Sequence, residues 1–294
     1  QKAAYYAQVG ARAHVLSQVR QHHGKPLSFN NLLDLDSARA LVREFDEPTC
    51  AIVKHNNPCG VAVGRTIQDA YERAFACDPL SAFGGVIVLN RRVDRPTAEK
   101  LHEQFIEVLF APGYDDDALE VLTQKQNVRI LEDEERRRSP MGEPEVKQVL
   151  GGLLVQDRDL DLQQRSEMEV VTSRKPTDRE FDDLLFAWRV CRHVKSNAIV
   201  LVRDGATVGI GAGQMSRVDS VRIAVEKSRV DTLEGAVMAS DAFFPFADGP
   251  ALAIEAGITA IIQPGGSVRD DEVVAAAEAA EVAMVMTRRR HFRH

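Results

Sequence analysis

The sequence predicts an α/β fold in which helices flank a mixed or largely parallel sheet. Helical and strand patterns alternate along the 294 residues, which is the order typical of α/β proteins. Several predicted strands are short apolar runs rich in β-branched residues, as expected for buried strands. The 44% of hydrophobic and 28% of charged residues match a packed globular protein and exclude wholesale disorder. At about 150 residues per domain, the length corresponds to two domains or one large domain.

In the first half of the chain, local patterns predict three helices and two strands. The apolar spacing of residues 37–45 predicts a helix with Asp36 as its N-cap. Residues 50–53 form an apolar run that predicts a strand leading into a polar loop, and residues 66–76 have helical spacing. Gly85–Leu89 predicts a buried strand. Residues 96–108 predict a helix that begins with proline.

The second half carries sharper local signals. Thr177 and Glu180 form a capping box that predicts a helix reaching about residue 192. The pair Asp204-Gly205 between two apolar runs predicts a β-hairpin over residues 198–210. Beyond the hairpin, helices are predicted at 216–227, 250–256 and 270–280, and strands at 236–239, 259–262 and 282–286.

The order of features occurs twice along the chain. Lys54 and Asn57 precede a glycine-rich segment, and Lys195 and Asn197 precede a second one about half a chain length later. In both places a helix and an apolar strand follow. This order predicts two similar α/β units, residues 1–145 and residues 146–294.

Charge and cysteine content exclude several classes of protein. The net charge of −7 argues against a nucleic-acid binder, which needs a cationic face. No apolar run reaches the roughly 18–20 residues of a membrane span. The cysteines Cys50, Cys59, Cys77 and Cys191 form no C-x-x-C pair, so neither zinc nor a redox pair is predicted. Reduced thiols favour a cytoplasmic protein.

The densest group of reactive side chains is the segment KHNNPCG at residues 54–60, directly after a predicted strand. Ligands of α/β sheets bind at the carboxyl ends of strands. The Lys54 ammonium can stabilise developing negative charge, and the His55 imidazole can transfer a proton near neutral pH. A polar turn built on Asn-Pro explains the same residues, and both interpretations stay open at this point.

Four other segments are candidates of the same kind, each with a structural alternative. Asn197 offers amide hydrogen bonds or caps a turn. The segment GIGAGQMSR at residues 209–217 is suited to an anion or to tight backbone packing, but it lacks the G-x-G-x-x-G spacing of dinucleotide sites. Residues 240–248 place phenylalanines between Asp241 and Asp248, either as the wall of an aromatic site or as core. The basic tail at 288–294 is either an anion-binding arm or a solvated end.

Taken together, these segments resemble one family over essentially the whole chain and in the same order. The family is the transformylase part of the bifunctional purine-biosynthesis enzymes, 5-aminoimidazole-4-carboxamide ribonucleotide (AICAR) formyltransferase/inosine monophosphate cyclohydrolase. The residues that carry the resemblance are KHNNPCGVAVG, DPLSAFGGVIVLNRRVDRPTA, APGYDDDAL, GIGAGQMSRVDS, ASDAFFPF, QPGGSVRDDEV and the ending RHFRH.

The resemblance implies transfer of a formyl group from 10-formyltetrahydrofolate to the 5-amino group of AICAR. It implies two tandem cytidine-deaminase-like units with mixed sheets and no zinc, and a cytoplasmic homodimer with its active site at the subunit interface. It makes potassium a candidate ion. It also implies that cyclohydrolase activity belongs to an N-terminal domain of the same polypeptide, outside this sequence. An Arg-Tyr pair that helps to hold the nucleotide in the family is expected just upstream of Gln1.

The resemblance assigns site residues position by position. The catalytic residues are Lys54, His55 and Asn197, and the folate contacts are Asp248, Phe246 and Pro245. The ribonucleotide contacts are Asn31, Gly84, Glu107, Lys125, Arg217, Arg290 and His294. Lys125 enters as a substitute, because the family often has lysine where this chain has Gln126.

Two other functions stay open. The chain could be a catalytically incomplete domain that binds nucleotide or folate and dimerises. It could also be a zinc-free relative of deaminases, although the H-x-E and C-x-x-C motifs of that class are missing.

Overall fold

The computed structural model describes residues 3–6, 19–134, 144–160 and 163–294. The strands in these ranges are β1 (Arg20–His23), β2 (Thr49–Lys54), β3 (Asn57–Val63), β4 (Gly85–Leu89), β5 (Ile106–Ala111), β6 (Arg129–Glu132), β7 (Pro144–Val149), β8 (Gly152–Asp157), β9 (Glu169–Val170), β10 (Ile199–Arg203), β11 (Ala206–Gly211), β12 (Val237–Ser240), β13 (Ala260–Gln263) and β14 (Ala283–Met286). The helices are α1 (Phe29–Val42), α2 (Ile67–Cys77), α3 (Pro79–Ala82), α4 (Arg95–His102), α5 (Asp116–Leu122), α6 (Asp178–Cys191), α7 (Arg217–Lys227), α8 (Asp248–Glu255) and α9 (Asp270–Ala279), with a 3₁₀ turn at Arg165–Glu167.

Twelve of the described strands form one mixed sheet, in the order β1-β6-β5-β4-β2-β3-β11-β10-β12-β13-β14-β9. The predicted α/β class with a mixed sheet is therefore confirmed. The two halves share this one sheet, because β3 and β11 pair antiparallel at its centre. The Thr207 side chain accepts from the Val61 amide at 2.9 Å and donates to the Val61 carbonyl, so polar groups of this strand pair are satisfied.

The two halves of the sheet repeat the same strand order. Outward from the centre, one half runs β3-β2-β4-β5-β6 and the other runs β11-β10-β12-β13-β14. Gly60 and Gly209 occupy equivalent places, since a Cβ on either would lie 1.9 or 2.2 Å from a carbonyl of the helix packed on it. Only glycine permits this approach.

The repeated order of a lysine and an asparagine before a glycine-rich segment does not place Lys54 and Lys195, or Asn57 and Asn197, at equivalent positions of the fold. Lys54 ends β2, whereas Lys195 and Asn197 come before β10, the strand equivalent to β2. Short motifs of similar composition do not fix strand direction, so their likeness does not imply equivalent places in the fold. The boundary predicted at residue 145 falls inside β7, which pairs only with β8 among the described strands.

The core is divided by the two faces of the sheet. Helices α1 and α6 cover one face, where alternate strand residues of both halves, such as Val53 and Val200, join a single apolar cluster. On the other face, α2, α4 and α5 cover the first half and α7, α8 and α9 cover the second, each with its own cluster. The shared cluster under α1 and α6 therefore joins the two halves.

Two sequence predictions fail at helix ends. Helix α1 begins at Phe29 and not at residue 37, because Ser28 is the N-cap and forms a capping box with Asn31. The helix predicted at 96–108 ends at His102, and the apolar residues beyond it form β5. The remaining predicted elements are confirmed within two residues at each end. None of the described helices combines the length and the apolar character that a membrane crossing requires.

Candidate functional site

The Lys54 turn and Asn197 lie at the same edge of the sheet. Lys54 ends β2 opposite Asn57, the first residue of β3. Strand β11 ends at Gly211, opposite Ile199 at the beginning of β10, and β12 ends at Ser240, also opposite Ile199. The Lys195 amide donates to Asn57 Oδ1 at 2.9 Å and joins the two halves of this edge. Antiparallel pairing thus brings together segments that lie far apart in the sequence.

The segment predicted as a polar loop is a two-residue turn. His55 and Asn56 have φ angles of 53° and 63°, so both adopt the left-handed conformation of a tight hairpin turn. Lys54 Nζ donates to the Phe83 carbonyl at 2.7 Å, which fixes the direction of its side chain. His55 is exposed. A fixed ammonium and an accessible imidazole therefore stand next to each other.

An aromatic pair that the sequence prediction missed lies beside Lys54. The rings of Phe83 and Phe105 are 5.1 Å apart and are 59% and 39% exposed. Gly84, with φ of 70°, donates its amide to the Phe105 carbonyl at 2.8 Å. Exposed aromatic rings of this kind are suited to contact with a planar ligand. The segment DPLSAFG was part of the resemblance, but only Gly84 was selected from it.

Three predicted ribonucleotide contacts have partners within the protein. Asn31 is 7% exposed and its side chain completes the cap of α1. Glu107 forms an ion pair with Arg129 at 2.8 Å. Lys125 Nζ donates to the Gln104 carbonyl at 2.6 Å, and burial lowers the pKa of this lysine. A ligand would have to share or displace these partners.

Asn197 is held by a buried ion pair. Arg217 donates to Asn197 Oδ1 at 2.7 Å and to Asp241 Oδ1 at 2.6 Å. Asp241 is fully buried, and its Oδ1 also accepts from the Ala198 amide at 3.1 Å. The Asn197 amide group donates to the Gln214 and Met215 carbonyls, in the loop between β11 and α7, at 2.9 and 3.1 Å. The direction of the Asn197 side chain is therefore set by partners at both ends.

The ion pair between Arg217 and Asp241 was not predicted from the sequence. Arg217 was predicted as a ribonucleotide contact, and in the structure its guanidinium is 6% exposed and faces protein groups. Asp241 was noted only as a flank of the aromatic segment. Its partner in the ion pair lies 24 residues away, and no local pattern signals that pairing.

The aromatic segment divides into core and surface. Phe244 is 1% exposed and packs in the cluster under α7 and α8, whereas Pro245 and Phe246 are exposed. The Arg269 guanidinium lies 4.8 Å from the centre of the Phe246 ring. Asp248 is exposed, and its Oδ1 accepts from the Gly249 amide at 2.7 Å. The three predicted folate contacts thus form one exposed group at the beginning of α8.

The basic tail follows β14 back to the site edge. The Arg290 guanidinium lies 4.9 Å from the centre of the Phe292 ring, and His294 is exposed. The Arg293 carbonyl accepts from the Ser196 amide at 2.9 Å, one residue before Asn197. The tail is therefore docked on the second half of the chain and its outer side chains are accessible.

A cavity of about 450 Å³ opens at the junction of the two halves. Lys54, His55 and Gln214 line it, and an ion pair between Lys227 and Asp78, at 2.9 Å, lies in its wall. Asn197 and Asp248 lie outside its lining, so the predicted residues share a sheet edge and not a single cavity. In the described part of the chain, no group of three or more His, Cys, Asp or Glu residues is arranged to hold a metal ion.

Comparison with known proteins agrees with the resemblance found in the motifs. Residues 1–227 match the family model described as AICARFT/IMPCHase bienzyme. Two relatives from Cereibacter sphaeroides, both called bifunctional purine biosynthesis protein PurH, are 56% and 55% identical over 306 residues. Each alignment covers 100% of this chain and 58% of the relative, so the chain spans little more than half the length of these proteins. The chain belongs to the AICARFT/IMPCHase bienzyme family.

Proposed function

We propose that the chain transfers the formyl group of 10-formyltetrahydrofolate to the 5-amino group of AICAR, giving the formamido ribonucleotide and tetrahydrofolate. Membership of the family supports the substrates. The observation that carries the proposal is the sheet edge at which the Lys54-His55 turn and the fixed Asn197 amide both lie.

In the proposed reaction, the AICAR amine attacks the formyl carbon and a new carbon–nitrogen bond forms. Binding both substrates at one edge removes much of the entropic cost of their encounter. The Lys54 ammonium stabilises the oxyanion that develops on the formyl oxygen. The Asn197 side-chain amide joins it by exchanging its bond to the Gln214 or Met215 carbonyl for a bond to that oxygen. Lys54 has three N–H donors, of which one is used by the Phe83 carbonyl.

The proton and the leaving group complete the transfer. His55 accepts the proton of the attacking amine, directly or through the AICAR carboxamide. The bond between the formyl carbon and the folate nitrogen then breaks, and that nitrogen leaves with the proton that His55 took from the amine, delivered directly or through solvent. The exposure of His55 is consistent with this role, because the imidazole can exchange its proton with solvent between turnovers.

The binding roles follow the assignments that the family resemblance gives. We propose that Phe246, Pro245 and Asp248 contact the folate, and that Asn31, Gly84 and Glu107 hold the ribonucleotide. Lys125, Arg290 and His294 supply its polar contacts. For Arg217, the bond to Asn197 Oδ1 supports a contribution through the orientation of Asn197.

The direct test mixes the protein with 10-formyltetrahydrofolate and AICAR and follows tetrahydrofolate absorbance. We expect turnover that needs both substrates. Ligand-dependent thermal stabilisation without turnover would instead select the second candidate, a catalytically incomplete domain that binds nucleotide or folate. The test includes this candidate because the chain covers only 58% of the length of its relatives.

We also propose that the protein is a homodimer with its active site at the subunit interface. The β7–β8 hairpin supports this, because both of its faces are exposed and it carries apolar side chains, among them Leu153, Leu154 and Val155, that are 58–64% exposed. An isolated two-stranded hairpin is marginal in water, so a covering surface is expected. Light scattering of the parent protein should give twice the chain mass, and Leu153→Glu should lower the measured mass. A monomeric mass for both the parent and the variant would contradict the proposal.

The remaining finer assignments rest on the family. We propose that the two repeated halves are cytidine-deaminase-like units divided near residue 145, which the repeated strand order supports. A cytoplasmic location and the N-terminal cyclohydrolase domain of the same polypeptide are proposed on the same ground. A potassium ion stays a prediction, and no step above depends on it.

A further inference from the structure

A chain of side-chain hydrogen bonds joins the C-terminal tail to the turn that carries His55. Arg293 Nη2 donates to Ser37 Oγ at 2.9 Å, and Ser37 Oγ donates to Asn56 Oδ1 at 2.7 Å. Ser37 lies on α1 and is 7% exposed, so little water competes for its hydroxyl. Asn56 is the neighbour of His55 in the turn. Residue 293 is thereby connected to a turn more than two hundred residues earlier.

The turn needs support because of its backbone conformation. With φ at 53°, the Cβ of His55 is crowded by the following carbonyl, so this conformation is less favourable for histidine than for glycine. The Asn56 amide donates to Asp34 Oδ1 at 2.7 Å, which fixes the backbone on one side. Ser37 fixes the Asn56 side chain on the other. These contacts together define where the His55 imidazole can lie.

The far end of the connection is anchored in the second half of the protein. The Arg293 amide donates to Ser196 Oγ at 3.3 Å, and the Ser196 amide donates back to the Arg293 carbonyl at 2.9 Å. Ser196 Oγ also donates to Asp241, the buried partner of Arg217. Hydrogen bonds thus link the position of the His55 turn to the groups that hold Asn197.

We infer that Arg293, acting through Ser37 and Asn56, is a positioning residue that sets the His55 turn relative to Asn197. The inference rests on the proposed function, in which His55 accepts the amine proton and Asn197 stabilises the oxyanion. Small displacements of such groups lower turnover strongly, because the reacting atoms must meet within a few tenths of an ångström. Arg293 itself makes no contact with the reacting atoms in this assignment.

The test measures formyl transfer by Arg293→Met, Arg293→Lys and the milder Ser37→Ala. We expect Arg293→Met and Ser37→Ala to lower kcat by about 10- to 100-fold while KM for each substrate changes less than about two-fold. Arg293→Lys should recover part of the rate, since an ammonium can still donate to Ser37 Oγ. Arg179→Met is the matched control, because Arg179 pairs with Asp204 in the turn at the opposite sheet edge; its kcat should be unchanged.

A double variant tests whether the effect passes through His55. In a His55→Ala background, Arg293→Met should cause less than about a two-fold further loss of kcat. Equal losses in both backgrounds, or a rise in KM alone, would overturn the inference and assign Arg293 to substrate binding or to general stability.

A readout independent of activity separates this inference from the proposed function. Hydrogen exchange at the Asn56 amide should become at least about ten-fold faster in Arg293→Met, because the tether of its turn is lost. Unchanged exchange would overturn the inference whether or not the parent protein transfers formyl groups. If exchange is faster in Arg293→Met but the parent protein shows no formyl transfer, the tether is supported and the proposed function is rejected.

Discussion

The hairpins β2–β3 and β10–β11 share a scaffold and differ in what their turns carry. Each is closed by two residues in the left-handed conformation, His55 and Asn56 in one and Asp204 and Gly205 in the other. Each follows a helix that begins with a capping box. In both helices an aspartate six residues after the N-cap, Asp34 or Asp183, accepts from amides of the turn at 2.6–2.8 Å.

The difference lies in the chemistry and its support. At the second turn position Gly205 adopts a positive φ with no Cβ to crowd, whereas Asn56 adopts it with a side chain; at the first position His55 and Asp204 both do so. Nine residues after the N-cap, α1 has Ser37 bonded to Asn56, and α6 has the buried Phe186 in the core. The second turn therefore has one crowded position, Asp204, whereas the first has two, carries the reactive His55 and is held by an additional hydrogen bond. A strained, tethered turn is typical of a functional site.

The largest expected difference between the two hairpins is in catalysis. Lys54→Met should lower kcat by about 10²- to 10³-fold with little change in KM, because its ammonium acts mainly on the charge of the transition state. Arg203→Met is the matched control, since Arg203 ends β10 as Lys54 ends β2. Steady-state kinetics of both variants decides the point, and a similar loss in Arg203→Met would remove the distinction between the turns.

The shared scaffold should be equally sensitive in both halves. Gly60→Ala and Gly209→Ala should each lower the free energy of unfolding by about 3 kcal/mol, because the added Cβ would lie within 2.2 Å of a helix carbonyl. Urea denaturation measures the effect, with Gly152→Ala as the control, since nothing lies within 4 Å of its Cβ position. Tolerance at only one of the two positions would contradict their equivalence.

Placing glycine in the first turn and removing it from the second should change the free energy of unfolding in opposite directions. His55→Gly should raise the free energy of unfolding by about 1 kcal/mol through relief of backbone crowding, although formyl transfer is lost. Gly205→Ala should lower it by about 1–2 kcal/mol, because φ is 69° and the Cβ would lie 2.7 Å from a Val63 methyl. Thermal unfolding compares the two, and a fall in stability for His55→Gly would indicate that the first turn is not strained.

A smaller effect is expected where the ends of α1 and α6 meet. Burial lowers the pKa of His193 below its ordinary value, although the Glu44 carboxylate, 3.4 Å from its Nε2, opposes this. Below about pH 6.5, His193 therefore binds a proton in the unfolded chain but not in the folded protein, so the free energy of unfolding falls as the pH decreases. Burial acts to raise the pKa of Glu44, but His193 and Arg192 hold it below its ordinary value, which adds to the loss at lower pH.

His193→Gln should therefore reduce the change in melting temperature between pH 7.5 and pH 5.5 relative to the parent. The measurement is a thermal scan of both proteins at each pH. An identical pH dependence would show that protonation of other groups dominates the acid loss of stability.

Much of the fold could be predicted because its signals are local. The capping box at Thr177 and the Asp204-Gly205 turn each act over a few residues, and both predictions are confirmed. The beginning of α1 was misplaced because Asp36 resembles an N-cap, while the cap that forms uses Ser28 and Asn31. At residues 106–111, apolar residues continue the helical spacing of α4, and only pairing with β4 decides that they form a strand.

The candidate site was located only in part. Lys54 and His55 were selected because reactive groups follow a strand, and the strand ends where expected. The exposed pair Phe83 and Phe105 was missed, because exposure of a phenylalanine depends on what packs around it. The contact from Arg293 to Ser37 spans 256 residues, a separation over which composition and periodicity carry no signal.

The sequence alone determined the α/β class, most helices and strands, and the family. Such features depend on hydrophobic periodicity, capping and turn residues, which act between near neighbours in the chain. The tertiary structure decided that both halves share one sheet, that their polar ends meet at one edge, and that the tail holds the His55 turn. The physical reason is that pairing of β3 with β11 and burial under α1 and α6 depend on surfaces that exist only once each half has folded.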